Sequence, residues 1–322
     1  MSTVVSGSLV TNAEPRVHHS KPGFFRLVGG ELFKIHRQIS TWIMVILLAI
    51  VILGPFAIAL VMPGTDRALK TSPYNFLSLW IYLNLLLVRS VTGFMLIIMT
   101  ARAIGQEYNL GTIRVLLARG VGRVQLLLAK LAALVVWALI ILLISLALNA
   151  LLTSALVFLK TGSLDAFTSM NVSSSALSGP GQQSVQVNPF WQDVGTYIGT
   201  LGISMGATIL LATAFSVLGR SLAFGLTLSL IWFPADNILT LILAIVFQIT
   251  HDDLWRNITA YLYGPNLNAM VYTFTNRPDW NVGVLSPLVS IDVTHLLFVI
   301  IAYAVFFLIL AIVLTWRRDV KE

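Results

Sequence analysis

Two polar groups stand where the chain is otherwise apolar: Arg89, inside the run 77–101, and Asp236, which is followed by Asn237 and preceded by Pro234 inside the run 222–250. An ionised side chain at the centre of an apolar helix costs about 2.5–3.5 kcal/mol to insert, so each charge needs a partner, water or a route to an interface. Three arrangements meet that need. Arg89 and Asp236 form a buried pair; or Arg89, Asp236 and Asn237 line a path; or Pro234, which has no N–H, splits its helix and leaves Asp236 at a wet break. Other chemistry is missing from the chain. No lysine follows a glycine, so there is no phosphate-binding loop, and the five histidines never occur at zinc-ligand spacing. Cysteine is absent, which removes thiolate chemistry. The sequence offers no catalytic residue, no cofactor site and no metal site.

A second constellation lies in the polar segment 102–130, Arg-Ala-Ile-Gly-Gln-Glu-Tyr-Asn-Leu-Gly-Thr-Ile-Arg-Val-Leu-Leu-Ala-Arg-Gly-Val-Gly-Arg-Val-Gln-Leu-Leu-Leu-Ala-Lys. Gly111 permits a turn and Thr112 suits a helix N-cap. Ile113, Leu116 and Leu117 share one apolar face beside Arg114, and Arg119-Gly120 closes the stub with a cation and a residue tolerant of left-handed backbone. The helix 112–118 is about 10 Å long. From the residues alone it either docks in a groove of another protein or anchors to lipid headgroups.

The elements that must hold these residues follow from composition. Of 322 residues, 57% are hydrophobic and 10% charged, against about 25% charged in a soluble domain, which excludes a soluble globular enzyme. A bilayer core of about 30 Å needs roughly 20 apolar helical residues. Six runs qualify, 42–62, 77–101, 124–159, 194–218, 222–250 and 293–316, the third preceded by a stretch broken only by Lys130. The predicted fold is an all-α integral membrane protein of six spans filling 42–318. Residues 1–22 read as a mobile tail and 319–322 as a second tail. Residues 23–41 mix Phe24, Phe25, Leu32, Phe33 and Ile35 with Arg26, Glu31, Lys34 and Arg37, the pattern of an amphipathic interfacial helix. Fourteen of the twenty Lys and Arg residues fall on the side that holds both termini and five on the other. This bias predicts cytoplasmic termini and explains the net charge of +7 without nucleic acid, for which no basic groove with interleaved aromatics exists.

The string Glu107-Tyr-Asn-Leu-Gly-Thr-Ile-Arg-Val-Leu-Leu-Ala-Arg-Gly-Val-Gly-Arg-Val-Gln-Leu-Leu-Leu-Ala-Lys130 resembles the signature of membrane subunits of type-2 ABC exporters. There a Glu, a Gly-Thr pair, Leu-Leu, an Arg and a Lys frame the loop after the second span. The resemblance runs from about Phe24 to Arg318. It departs at Gly120-Val-Gly122, where the family often has a proline. It implies a permease of a bacterial or archaeal cytoplasmic membrane that pairs with a second permease, identical or related. Two separate ABC ATPase subunits would bind the ATP and magnesium that this chain does not. Glu107, Gly111, Thr112, Ile113, Arg114, Leu116, Leu117, Arg119 and Arg123 would couple to the ATPase, and 251–292 would form a re-entrant or gate region. The alternative class is a transporter, channel or scaffold that works without an ATPase. Secondary transporters usually carry internal repeats and several intramembrane ionisable groups. Here only Arg89 and Asp236 lie deep and no repeat is found.

Overall fold

A computed structural model describes residues 23–111, 121–171, 189–275, 280 and 285–317. Six of its helices are long and apolar enough to cross a membrane. With four shorter helices they give, in chain order, α1 (Phe24–Arg37), α2 (Ile39–Val61), α3 (Thr65–Thr71), α4 (Pro73–Asn109), α5 (Arg123–Thr161), α6 (Phe190–Gly219), α7 (Leu222–Thr250), α8 (Asp253–Ile258), α9 (Tyr263–Thr275) and α10 (Val293–Arg317). The described residues contain no strand. The all-α membrane architecture is therefore as the sequence predicts, with spans α2, α4, α5, α6, α7 and α10. The terminal tails and the stub 112–118 lie outside the described residues.

Side chains set the two ends of the bundle. Gln38 takes an extended conformation between α1 and α2, so α1 is a separate element rather than an extension of the first span. Its last carbonyls are met by Thr41, whose Oγ1 donates to Ile35 O at 2.9 Å, and by Trp42, whose Nε1 donates to His36 O at 2.9 Å. At the opposite end Lys160 Nζ donates to Leu60 O at 2.9 Å, joining the far tips of α5 and α2. That end also holds a stack in which the Tyr82 and Trp280 rings lie 5.6 Å apart and Tyr82 OH donates to Trp280 O at 3.1 Å.

α6 is the centre of the bundle, packed on α4, α7, α9 and α10. Its face is built from small residues and leucines, among them Leu201, Ala207, Leu211, Ala212 and Ala214, all buried. Small residues let membrane helices approach closely, which is how such bundles cohere when lipid is as apolar as leucine. One close approach is at Gly105 of α4, where a Cβ would lie 2.7 Å from Ser221 O and 2.8 Å from Leu222 Cα. The α6–α7 turn, with Arg220 in left-handed backbone, thus sits directly on the last turns of α4. Residues 251–292 do not simply cap the bundle: α9 packs back against α6, α7 and α10.

Candidate functional site

The segment 110–122 joins α4 to α5, and on either side of it Glu107 and Lys130 are fastened to α1. Glu31 and Lys34, one turn apart on α1, meet Glu107 in the last turn of α4 and Lys130 in the second turn of α5. Lys130 Nζ is 2.8 Å from Glu31 Oε2 and 2.8 Å from Glu107 Oε2, and Lys34 Nζ pairs with Glu107 Oε1. Among the described residues these contacts join two positive and two negative charges. Lys130, Glu31 and Glu107 are buried while Lys34 is about half exposed. A buried charge is tolerated when paired and costly when it loses its partner, so this arrangement specifies one geometry for three helices. Glu107 therefore lies in an ion-pair cluster with the amphipathic helix. Gly111, read from the sequence as permitting a turn, has φ 65, and Arg123 opens α5. Thr112, Ile113, Arg114, Leu116, Leu117 and Arg119 lie outside the described residues.

Deeper in the bundle Arg89, Asp236 and Asn237 converge on α9. The first backbone amides of a helix have no partner within it, and a carboxylate is the favoured acceptor for them. Asp236 on α7 fills that role from outside, its Oδ2 accepting from the amide of Gly264 at 2.5 Å. A Cβ on Gly264 would come within 3.2 Å of the same oxygen. Asn237 Oδ1 accepts from Asn268 Nδ2 at 3.1 Å, and that nitrogen also donates to Leu285 O at 2.9 Å. Arg89 donates to Leu267 O. Among the described residues no ion pair joins Arg89 to Asp236. The buried pair considered from the sequence is not formed, because α9 supplies each with backbone groups instead. Nor does Pro234 split its span: α7 is continuous from Leu222 to Thr250. A cavity of about 280 Å³ opens beside Arg89, lined among others by Ser204, Thr208, Leu230, Pro234, Asn237 and Asn268. Pro234 cannot donate to the carbonyl four residues back, that of Leu230, and both residues face this cavity.

The sequence that builds these spans matches a known family. The model of the ABC-2 family transporter protein covers residues 27–251, more than half of the chain. The chain belongs to the ABC-2 transporter family. No curated protein matches it. As an ABC-2 protein it is a permease subunit of an ABC transporter and an integral membrane protein. The family is generally non-catalytic, with ATPase activity in partner subunits. The matched stretch takes in the cluster at Glu107, the loop 110–122 and the Asp236-Asn237 pair, whereas α9 and α10 follow it.

The sequence offers Glu107 an ion pair with Arg102, Arg114 or the amphipathic helix, and that helix does supply Lys34; sequence reasoning missed Lys130, which pairs with both Glu107 and Glu31. A signal existed: Lys130 is the lone charge breaking the apolar run that becomes α5, and the spacing of Glu31 and Lys34 puts both on one face of α1. It also missed α9 as the body that Arg89, Asp236 and Asn237 hold.

Proposed function

We propose that this ABC-2 permease is an exporter subunit that seats separate ATPase subunits on the loop 110–122, with that loop and both termini in the cytoplasm. The observation that supports it most is the ion-pair cluster of Glu31, Lys34, Glu107 and Lys130, which ties both stems of the loop to α1 and hence to the spans. A push on the loop then moves α1, α4 and α5 together rather than bending a slack connection. In this reading Gly111, Thr112, Ile113, Arg114, Leu116, Leu117, Arg119 and Arg123 shape and present the docking stub, and the partner ATPase binds ATP and magnesium. A second permease copy or a related chain completes the transporter. Arg89, Asp236 and Asn237 border the translocation path.

The test is co-purification of the tagged permease with an ABC ATPase from its native membrane, followed by vanadate-sensitive ATP hydrolysis in lipid. A buried apolar side chain at an interface contributes about 1.5–3 kcal/mol. Leu116→Asp is expected to abolish co-purification while the permease still inserts. Unchanged co-purification and hydrolysis with Leu116→Asp would overturn the docking assignment.

A further inference from the structure

The guanidinium of Arg89 has five N–H donors in a rigid fork. Among the described residues its one hydrogen bond is to Leu267 O, and it makes no ion pair. Asp236, the acidic residue that the sequence offers as its partner, is engaged at the α9 amide of Gly264. A full positive charge with unused donors therefore borders the 280 Å³ cavity between α4, α6, α7 and α9. Among the described residues that line it, Arg89 is the one charged residue and none is acidic. Thr208 and the Asn237–Asn268 pair add polar atoms, and the Ser204 hydroxyl, which lines the same space, has no partner among the described residues.

The rest of the wall is apolar, including Leu86, Phe94, Leu230 and Phe233. Ser90 and Phe94 are exposed on the outer face of α4, so the rim of the cavity lies where lipid would meet the bundle. The volume is slightly below the roughly 300–1,000 Å³ usual for a complete small-molecule site. It suits a headgroup and its first carbons, with a longer chain trailing past Phe94 into the bilayer.

We propose that this cavity is a receptor for an oxyanion group, phosphate or carboxylate, carried on an amphiphile. The Arg89 fork makes paired hydrogen bonds to two oxygens of the anion, a geometry in which charge assistance is strongest. The apolar wall takes the alkyl stem. A neutral amphiphile leaves the charge unmet, and a free inorganic anion leaves the apolar wall unused. The proposal deepens the permease reading by naming a substrate class, and it rests on that reading for any claim of transport.

Binding is measured on the full chain in phosphatidylcholine nanodiscs, with empty discs as the partition control, using radiolabelled decyl phosphate, decanol and inorganic phosphate. Saturable binding of decyl phosphate alone is expected, falling at least tenfold in Arg89→Gln and in Gly93→Leu. Gly93 lines the cavity and a Cβ there meets nothing within 4 Å, so Gly93→Leu takes up cavity space while the Arg89 side chain itself is kept. That second variant keeps the test decisive if Arg89→Gln fails to assemble. Inorganic phosphate binding equally well in an Arg89-dependent way would support the oxyanion receptor but assign it to a free anion. Equal binding of decanol, or decyl phosphate binding that survives either folded variant, overturns the proposal. No ATPase is present in this assay, so its failure leaves the docking test with Leu116→Asp untouched, and the reverse holds.

Discussion

Lys130 is the residue on which the loop end of the bundle depends, because among the described residues it is the one ion-paired with both glutamates. Replacing it with methionine leaves two buried carboxylates short of a cation, and breaking a buried pair costs about 3–5 kcal/mol. Lys34 reaches Glu107 from a half-exposed position, where a pair is worth at most about 1 kcal/mol. Lys130→Met is therefore expected to lower the thermal midpoint of the detergent-purified permease far more than Lys34→Met; equal shifts would mean that burial does not set the ranking. Asp292 presents a different case at the start of α10. It is exposed, and the His295 amide donating to its Oδ1 at 3.2 Å holds its carboxyl below the usual aspartate value. A depressed carboxyl stabilises the fold above its unfolded pKa, near 4, and the contribution is lost as pH falls through the lower folded value. Amide exchange at His295 should accordingly rise, relative to mid-helix α10 amides, below about pH 4, and Asp292→Asn should remove most of that pH dependence.

At the level of helices, the contact between α4 and the α6–α7 turn has no slack. A methyl on Gly105 would meet backbone atoms of Ser221 and Leu222 below 3 Å. Gly105→Ala is expected to destabilise by about 1–3 kcal/mol through overpacking, and Gly29→Ala on α1, where nothing lies within 4 Å, to be neutral or slightly stabilising; comparing their melting curves checks both. The spans themselves were legible because charge-free runs of 20 or more residues have few alternatives in a bilayer. Their overhangs were not. Gln106, Glu107, Tyr108 and Asn109 are polar, yet they continue α4, because Lys34 and Lys130 neutralise the glutamate from other helices. Gly111 was legible from its type alone, since few residues other than glycine take positive φ readily. The partners of Arg89 and Asp236 were hidden for a simpler reason: they are backbone groups of Leu267 and Gly264, which every sequence contains and none advertises.

For the molecule as a whole, the contacts sort the termini of α1, α4 and α5 at Glu31, Glu107 and Lys130 to one end, and Leu60 and Lys160 to the other. The chain has no natural cysteine, so single cysteines report without a background. Ser72→Cys and Leu164→Cys, both exposed, should react with a membrane-impermeant maleimide in intact cells, and Gly122→Cys, also exposed, only after permeabilisation; the reverse pattern would invert the proposed orientation. α4 runs unbroken for 37 residues, about 55 Å, of which some 25 Å exceeds the thickness of a bilayer core. From Arg89 to its end at Asn109 the helix measures about 30 Å. In the proposed coupling it is a lever arm. A tilt of about 6° around the level of Arg89 carries the far end sideways by about 3 Å at 1.5 Å of rise per residue, so a small rotation at the cavity and a displacement the size of an atom at the loop are one motion measured at two radii.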